Sequence, residues 1–276
     1  MGTQKKYYES LRDKWIKRHK DLQEKLWVRH GDVVNDFING TKNFAIGSIS
    51  GLMLLSSPVA NLLVPPQSFV VEEKKLPVEK NVFLVSDLLS VLPKDVRPLS
   101  AEEEDSVAKI LTRDFGFRVT PELQGIKLNR SYGYIGAEQH LARYPGDTMA
   151  GMAPGLGAWG YFVNSHSELT QKDVDREKYY IAVQTFLAPG FAEHTGEYIN
   201  FFKFRKMLVV NPHTGRAVVV VIGDAGPAEF TGKSLGGSPE VMKYLERKDG
   251  RGRGPVLYFL IDDPEDKIPL GPIEPV

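Results

Sequence analysis

Lys206-Met-Leu-Val-Val210, Asn211-Pro-His-Thr-Gly-Arg216, Ala217-Val-Val-Val-Val-Ile222 and Gly223-Asp-Ala-Gly-Pro227 form one uninterrupted string, and its reading decides the fold. The first and third pieces are rich in β-branched residues and predict two strands. The second joins them as a hairpin loop, with Gly215 able to supply the positive φ that such loops use. The fourth breaks the second strand. Upstream, Tyr179-Tyr-Ile-Ala-Val-Gln-Thr-Phe186 alternates in strand fashion; downstream, Ser238-Pro-Glu-Val-Met-Lys-Tyr-Leu245 has helical character and Gly254-Pro-Val-Leu-Tyr-Phe-Leu-Ile261 reads as a closing strand. Several short strands around one small helix predict a compact barrel.

The order of these pieces, Asn211-Pro-His-Thr-Gly215, a valine strand, Asp224-Ala-Gly-Pro227, a small-residue loop, the Ser238 helix and a final Gly-Pro-Val strand, resembles the double-psi β-barrel of the rare lipoprotein A and expansin type. The likeness covers roughly residues 179–262. It implies a six-stranded double-psi-like barrel and cell-wall glycan as the target. Rare lipoprotein A relatives are lytic transglycosylases on peptidoglycan, and expansins loosen wall polymers. The resemblance puts Asp224 at the position of the family's barrel aspartate. The family's "Tyr-Gly…Thr-Ala-x-Gly-Glu" opening and "Ala-Ala-His" segment are not found here.

Cleaving a glycosidic bond requires a proton donor at the leaving oxygen, commonly a carboxyl whose pKa is raised by desolvation. Asp224 is the candidate, with Gly226 and Pro227 beside it leaving room for a sugar. The competing reading is that Asp224 caps the adjoining turn, as Asx residues do. Glu193, His194 and Glu197, in the loop before Tyr198-Ile-Asn-Phe-Phe202, are the nearest substitutes for the missing family carboxylate and histidine, placed by order alone. Trp159, Tyr161, Glu229, Phe230 and Lys233 could line a groove by stacking on sugars and bonding to them, although a single aromatic is more commonly core.

Other chemistries are excluded or lack context. There is no cysteine, which removes thiolate nucleophiles, disulfides and Cys-ligated metals. Six scattered His residues contain no pair at metal-ligand spacing, and no metal or organic cofactor is expected. Gly155-Leu-Gly-Ala-Trp-Gly160 matches a dinucleotide pattern in letters but follows no strand and precedes no helix. Gly226 to Ser234 resembles a phosphate loop with one residue too many between its glycines. Thirty-five basic and thirty-five acidic residues cancel, so nothing supports a nucleic-acid partner.

That balance hides a basic amino end: residues 1–43 carry ten Lys/Arg against six Asp/Glu. Tyr7 to Val28 reads as an amphipathic helix with Leu11, Trp15, Leu22 and Leu26 on one stripe, either solvated or resting on an anionic leaflet. A charge-free window between Lys42 and Glu72 follows, containing the apolar run of residues 44–64. Its length is that of a bilayer-crossing helix; a buried core helix broken at Pro58 is the other reading. The expected organisation is a cytoplasmic helix at 1–43, a signal anchor at 44–65, a stalk at 66–98, a small α+β module at 99–150 and the barrel domain at 151–276, with everything after about residue 66 extracytoplasmic. Within the stalk, Val82-Phe-Leu-Val85 looks strand-like and Asp87 to Val91 helical; within the module, Ser100-Ala-Glu-Glu103 is a capping-box pattern, with Gly116 as the stop. No internal repeat is visible. Three readings remain open: a membrane-tethered enzyme on cell-wall glycan, a non-catalytic wall-binding or structural barrel, and a soluble intracellular protein whose residues 44–64 form a core helix.

Overall fold

The computed structural model describes residues 78–247 and 254–276. The expected amino-terminal helix and the 44–64 span lie outside the described residues. Among those described, no helix is long and apolar enough to cross a membrane.

The centre of the fold is a closed six-stranded mixed barrel. Its strands are β4 (Tyr132–Ala137), β5 (Tyr180–Val183), β6 (Lys206–Val210), β7 (Ala217–Ala225), β8 (Leu235–Gly237) and β9 (Gly254–Ile261). Around the ring the order is β4, β8, β5, β7, β6, β9 and back to β4. The β4–β8 and β5–β7 pairs are parallel and the other four antiparallel. Exchanging β4, β5 and β6 for β7, β8 and β9 returns the same set of pairings, so the two halves of the ring are topologically equivalent. Short strands β1 (Val119–Thr120) and β10 (Gly271–Ile273) extend it on β9 and β7, and β2 (Glu122–Leu123) pairs with β3 (Ile126–Lys127) as a separate ribbon.

The valine run owes its continuity to burial on both faces. Met207, Val209, Val218, Val220, Ile222, Val256, Tyr258 and Leu260 join Ile135, Ile181, Val183 and Leu235 in one cluster fed by all six strands, which is the barrel interior. The alternate residues Leu208, Val210, Ala217, Val219, Leu257, Phe259 and Ile261 belong to a second cluster, outside the barrel. Two helices cover it: α1 (Val78–Val91), through Leu84 and Leu88, and α2 (Ala101–Phe115), through Val107, Leu111 and Phe115. With both faces apolar, a strand loses its polar alternation.

Local signals hold where they were sharp. Ser100 and Glu103 form the full capping box of α2, and Gly116 ends it at φ 74°. The 211–216 loop closes the β6–β7 hairpin, with Gly215 at φ 70°. Its buried Asn211 accepts the His213 N–H at 3.0 Å and donates to the Leu245 carbonyl at 2.9 Å. Helix α5 (Pro239–Tyr244) is capped by Ser238.

Four expectations need correction. Residues 78–91 are one helix packed on the barrel, neither strand-like nor a stalk. The first barrel strand, β4, comes from residues placed in the 99–150 module, because its Gly-Tyr pattern carries little apolar periodicity. Strand β5 covers only Tyr180–Val183 and all four residues are buried, since it lies between β7 and β8; residues 185–187 form a 3₁₀ turn. Strand β7 is not broken at Gly223: it runs on to Ala225 through a register shift, with Ile181 opposite Ile222 and Ala182 opposite Asp224.

Candidate functional site

That register shift positions the candidate acid. Gly223 is the extra residue of a bulge, and a side-chain carbon there would come within 2.7 Å of the Tyr180 Cβ. Glycine therefore permits β7 to slip by one residue against β5, which re-aims everything beyond it. Asp224 follows immediately, half-buried near the end of the strand.

Its carboxyl is held on one oxygen. Oδ1 accepts the backbone N–H of Ala158 at 2.5 Å and of Ala225 at 2.7 Å. Neither bond falls on Oδ2. One of the two bonds is local, to the next residue, and the other reaches a loop 66 residues away. Burial pushes the Asp224 pKa up from the ordinary carboxylate range, against the downward pull of these two N–H groups. The loop carrying Ala158 lies close: a side-chain carbon on Gly157 would reach within 3.3 Å of the Asp224 carboxyl carbon and 3.2 Å of Leu141. Trp159 anchors that loop to β7 by donating its Nε1–H to the Ile222 carbonyl at 3.1 Å.

A second carboxyl, Glu138, lies near enough for the Asp224 charge to act on it. It directly follows β4, where its N–H donates to the Gly237 carbonyl at 2.8 Å. Its side chain fills the space that a side chain on Gly236 of β8 would occupy. Lys233 Nζ lies 3.9 Å from Glu138 Oε1 and donates to the Ala137 carbonyl at 3.3 Å. Burial raises the Glu138 pKa, Lys233 pulls it back, and the Asp224 charge pushes it up again. Behind both carboxyls, the Tyr180 hydroxyl donates to the Gln139 carbonyl. Burial drives the Tyr180 pKa well up, helped by the charges of Glu138, Asp224, Glu177 and Glu240. Next along the chain, His140 Nδ1 meets Glu177 Oε1 at 2.7 Å, and that buried oxygen also accepts the Leu141 N–H at 3.2 Å. Glu177, likewise raised by burial, comes from α3 (Gln171–Lys178).

The structure distributes the other sequence candidates unevenly. Gly226 bonds through its N–H to the Val183 carbonyl at 3.0 Å and precedes a cis Pro227. Glu229 and Phe230 sit on an exposed 3₁₀ turn, Glu229–Thr231, and Tyr161 is partly exposed in the 157–165 loop. Glu193, His194 and Glu197 lie at the start of α4 (Thr195–Phe202), all exposed, with His194 Nδ1 3.5 Å from Glu197 Oε2. Among the described residues, no hydrogen bond or ion pair connects these three to Asp224. Lys233 is the only one of the binding candidates in charge contact with a second carboxyl near Asp224.

Sequence reasoning missed Glu138, Tyr180, His140 and Glu177. The string Gly133-Tyr-Ile-Gly-Ala-Glu138 was the available signal, since small residues leading to an acid allow close strand approach. Among the described residues, no group of three or more His, Asp or Glu could hold a metal ion. The arrangement suits proton transfer: a desolvated carboxyl with one oxygen free of hydrogen bonds among the described residues, and a second carboxyl 3.9 Å from a lysine. The chain matches no protein-family model and no curated protein.

Proposed function

We propose that the chain is a membrane-anchored protein whose double-psi-like barrel cleaves cell-wall glycan outside the membrane by lytic transglycosylation. The observation that carries this reading is Asp224: half-buried, raised in pKa, with its hydrogen bonds among the described residues all on Oδ1 and with its charge acting on Glu138. The topology agrees. In the closed mixed ring, β8 lies between β4 and β5, and β5 lies between β7 and β8, an order that supports the double-psi reading. The charge-free run at 44–64 would be the anchor.

In the reaction, protonated Asp224 gives its proton to the glycosidic oxygen as the bond from that oxygen to the anomeric carbon breaks. A hydroxyl of the same sugar then bonds to the anomeric carbon, forming an anhydro ring. Its proton passes to the Asp224 carboxylate, which restores the acid. No external nucleophile is consumed, so a single acid/base suffices. Glu138, whose Oε1 lies 3.9 Å from Lys233 Nζ, is the group placed to stabilise the positive charge that develops on the sugar.

The test is to incubate the full chain in detergent, and its Asp224→Asn variant, with purified peptidoglycan and identify soluble products by mass spectrometry. Anhydro-sugar fragments from the parent, falling by about 10²–10⁴ in the variant, are expected for loss of a general acid. Sedimentation of both proteins with the polymer and no release of fragments would leave a binding barrel, in which Asp224 only ties the 157–159 loop to β7.

A further inference from the structure

Helix α1 is apolar on two opposite sides. Leu84 and Leu88, fully buried, pack on the outside of the barrel. The other side carries Val82, Phe83, Ser86, Leu89 and Ser90, which stand at i, i+1, i+4, i+7 and i+8 and so form one outward stripe, and all five are exposed. Phe83 leaves 70% of its surface open, Val82 57% and Leu89 48%. The neighbouring α2 has an ordinary solvated face, with Glu102, Asp105, Lys109 and Arg113 exposed along it. No charge breaks the α1 stripe. Between Lys80 and Lys94 the sequence holds one charged residue, Asp87, and it is paired with Arg113 of α2 at 2.6 Å. The Ser90 hydroxyl donates to the Asp87 carbonyl at 2.7 Å and is thereby satisfied within the helix. Apolar side chains clustered this way, free of charge, mark a surface made to be covered.

We infer that this face of α1 rests on the phospholipid surface, with Val82, Phe83 and Leu89 at the boundary between headgroups and acyl chains, so that the barrel domain is seated on the bilayer. This rests on the anchor reading of residues 44–64 and adds a second, shallow contact to it. Chain length selects the occupant. Thirteen residues lie between Val64 and Val78, and even fully extended they reach at most about 50 Å. A bilayer crossed by the 44–64 run is therefore always within range of α1. Three apolar side chains are a small contact for a partner that must be met by diffusion, but a tether raises the effective concentration of the surface and makes such a contact sufficient. The chemistry fits as well: an apolar stripe with its one flanking charge already paired enters the headgroup boundary without stripping water from an ion.

Because the chain has no cysteine, one introduced thiol takes a spin label at a single position. The test places that label by Ser86→Cys, in the middle of the stripe, and by Asp105→Cys on α2, in the full chain reconstituted into phosphatidylcholine–phosphatidylglycerol vesicles. Each label is read for collisions with oxygen, which concentrates in lipid, and with a nickel chelate present on both sides of the bilayer, which stays in water. Flotation with the vesicles after an alkaline wash reads the anchor separately. The label at position 86 is expected to favour oxygen over the chelate severalfold more than the label at position 105. Adding Phe83→Glu and Leu89→Glu, both at exposed positions outside the core, is expected to return position 86 to the aqueous ratio. A chain that floats yet gives the same ratio at both positions, or a lipid ratio at 86 that survives the two substitutions, overturns the seat and keeps the anchor. A label at 86 shielded from both reagents and broadened by a second label shows that another copy covers the stripe, which also overturns the inference. Failure to float removes the anchor reading and the seat with it.

Discussion

Asp224 Oδ1 accepts the Ala158 N–H at 2.5 Å across a separation of 66 residues, so one carboxyl oxygen ties the 157–159 loop to the end of β7. The same contact gives the loop its place and the acid its partial burial. Their energetics are consequently coupled, and so are the outcomes of changing them.

Replacing Asp224 by Asn removes a charge that burial disfavours. A folded-state pKa raised above the unfolded value means that the folded protein binds the proton more tightly. The stability it contributes is fully present below the ordinary Asp range and is lost as pH rises through the folded value. Asp224→Asn should therefore melt higher than wild type at about pH 7.5, with the gap closing near about pH 4. Thermal melts across that interval check it; a variant that melts lower at neutral pH would show that the ionised carboxyl is a net stabiliser.

Gly236 has no side chain because the Glu138 carboxyl occupies the position. Gly236→Ala should displace Glu138, cost about 1–3 kcal/mol by overpacking and impair glycan cleavage. Denaturant unfolding together with the anhydro-product assay reads both effects. Retention of wild-type values in the two measurements would mean that Glu138 moves aside freely and that its placement is unimportant.

Leu88 is fully buried against the outer face of the barrel. Leu88→Ala should destabilise the domain by about 2–5 kcal/mol, as truncation of a packed core leucine does. A residue on a solvated stalk would cost almost nothing, so urea unfolding distinguishes an integral helix from a tether.

Ser238 joins two helices that flank the site. Its Oγ accepts the Val241 N–H at 3.3 Å as the cap of α5 and donates to the Lys178 carbonyl at the end of α3. Loss of the cap and of a buried partner predicts about 1–3 kcal/mol for Ser238→Ala, with Ser238→Thr recovering part of it if the methyl is accommodated. Chemical denaturation of the pair is the measurement.

Much of the fold was present in local chemistry. The capping box at Ser100, the stop at Gly116, the hairpin turned at Gly215 and the Ser238 cap are interactions among residues within a few positions, and short-range chemistry is what a sequence displays. The valines of β7 likewise announced a strand, while the burial of both its faces came from the packing around it.

Only tertiary structure decided the rest. Ring closure pairs β4 with β9 and β8, residues 125 and 100 positions away respectively, as Tyr132 opposite Leu257 and Ile135 opposite Leu235 show. The twofold equivalence of the ring lies in pairings, and no sequence repeat accompanies it. The site followed the same division. Asp224 was visible because it stands beside Gly226 and Pro227 in a recognisable turn; Glu138, Tyr180 and Lys233 were brought to it by strands whose neighbours are set by barrel closure. Whether a carboxyl is desolvated depends on what the rest of the chain packs over it, and that is settled only when distant strands close the ring.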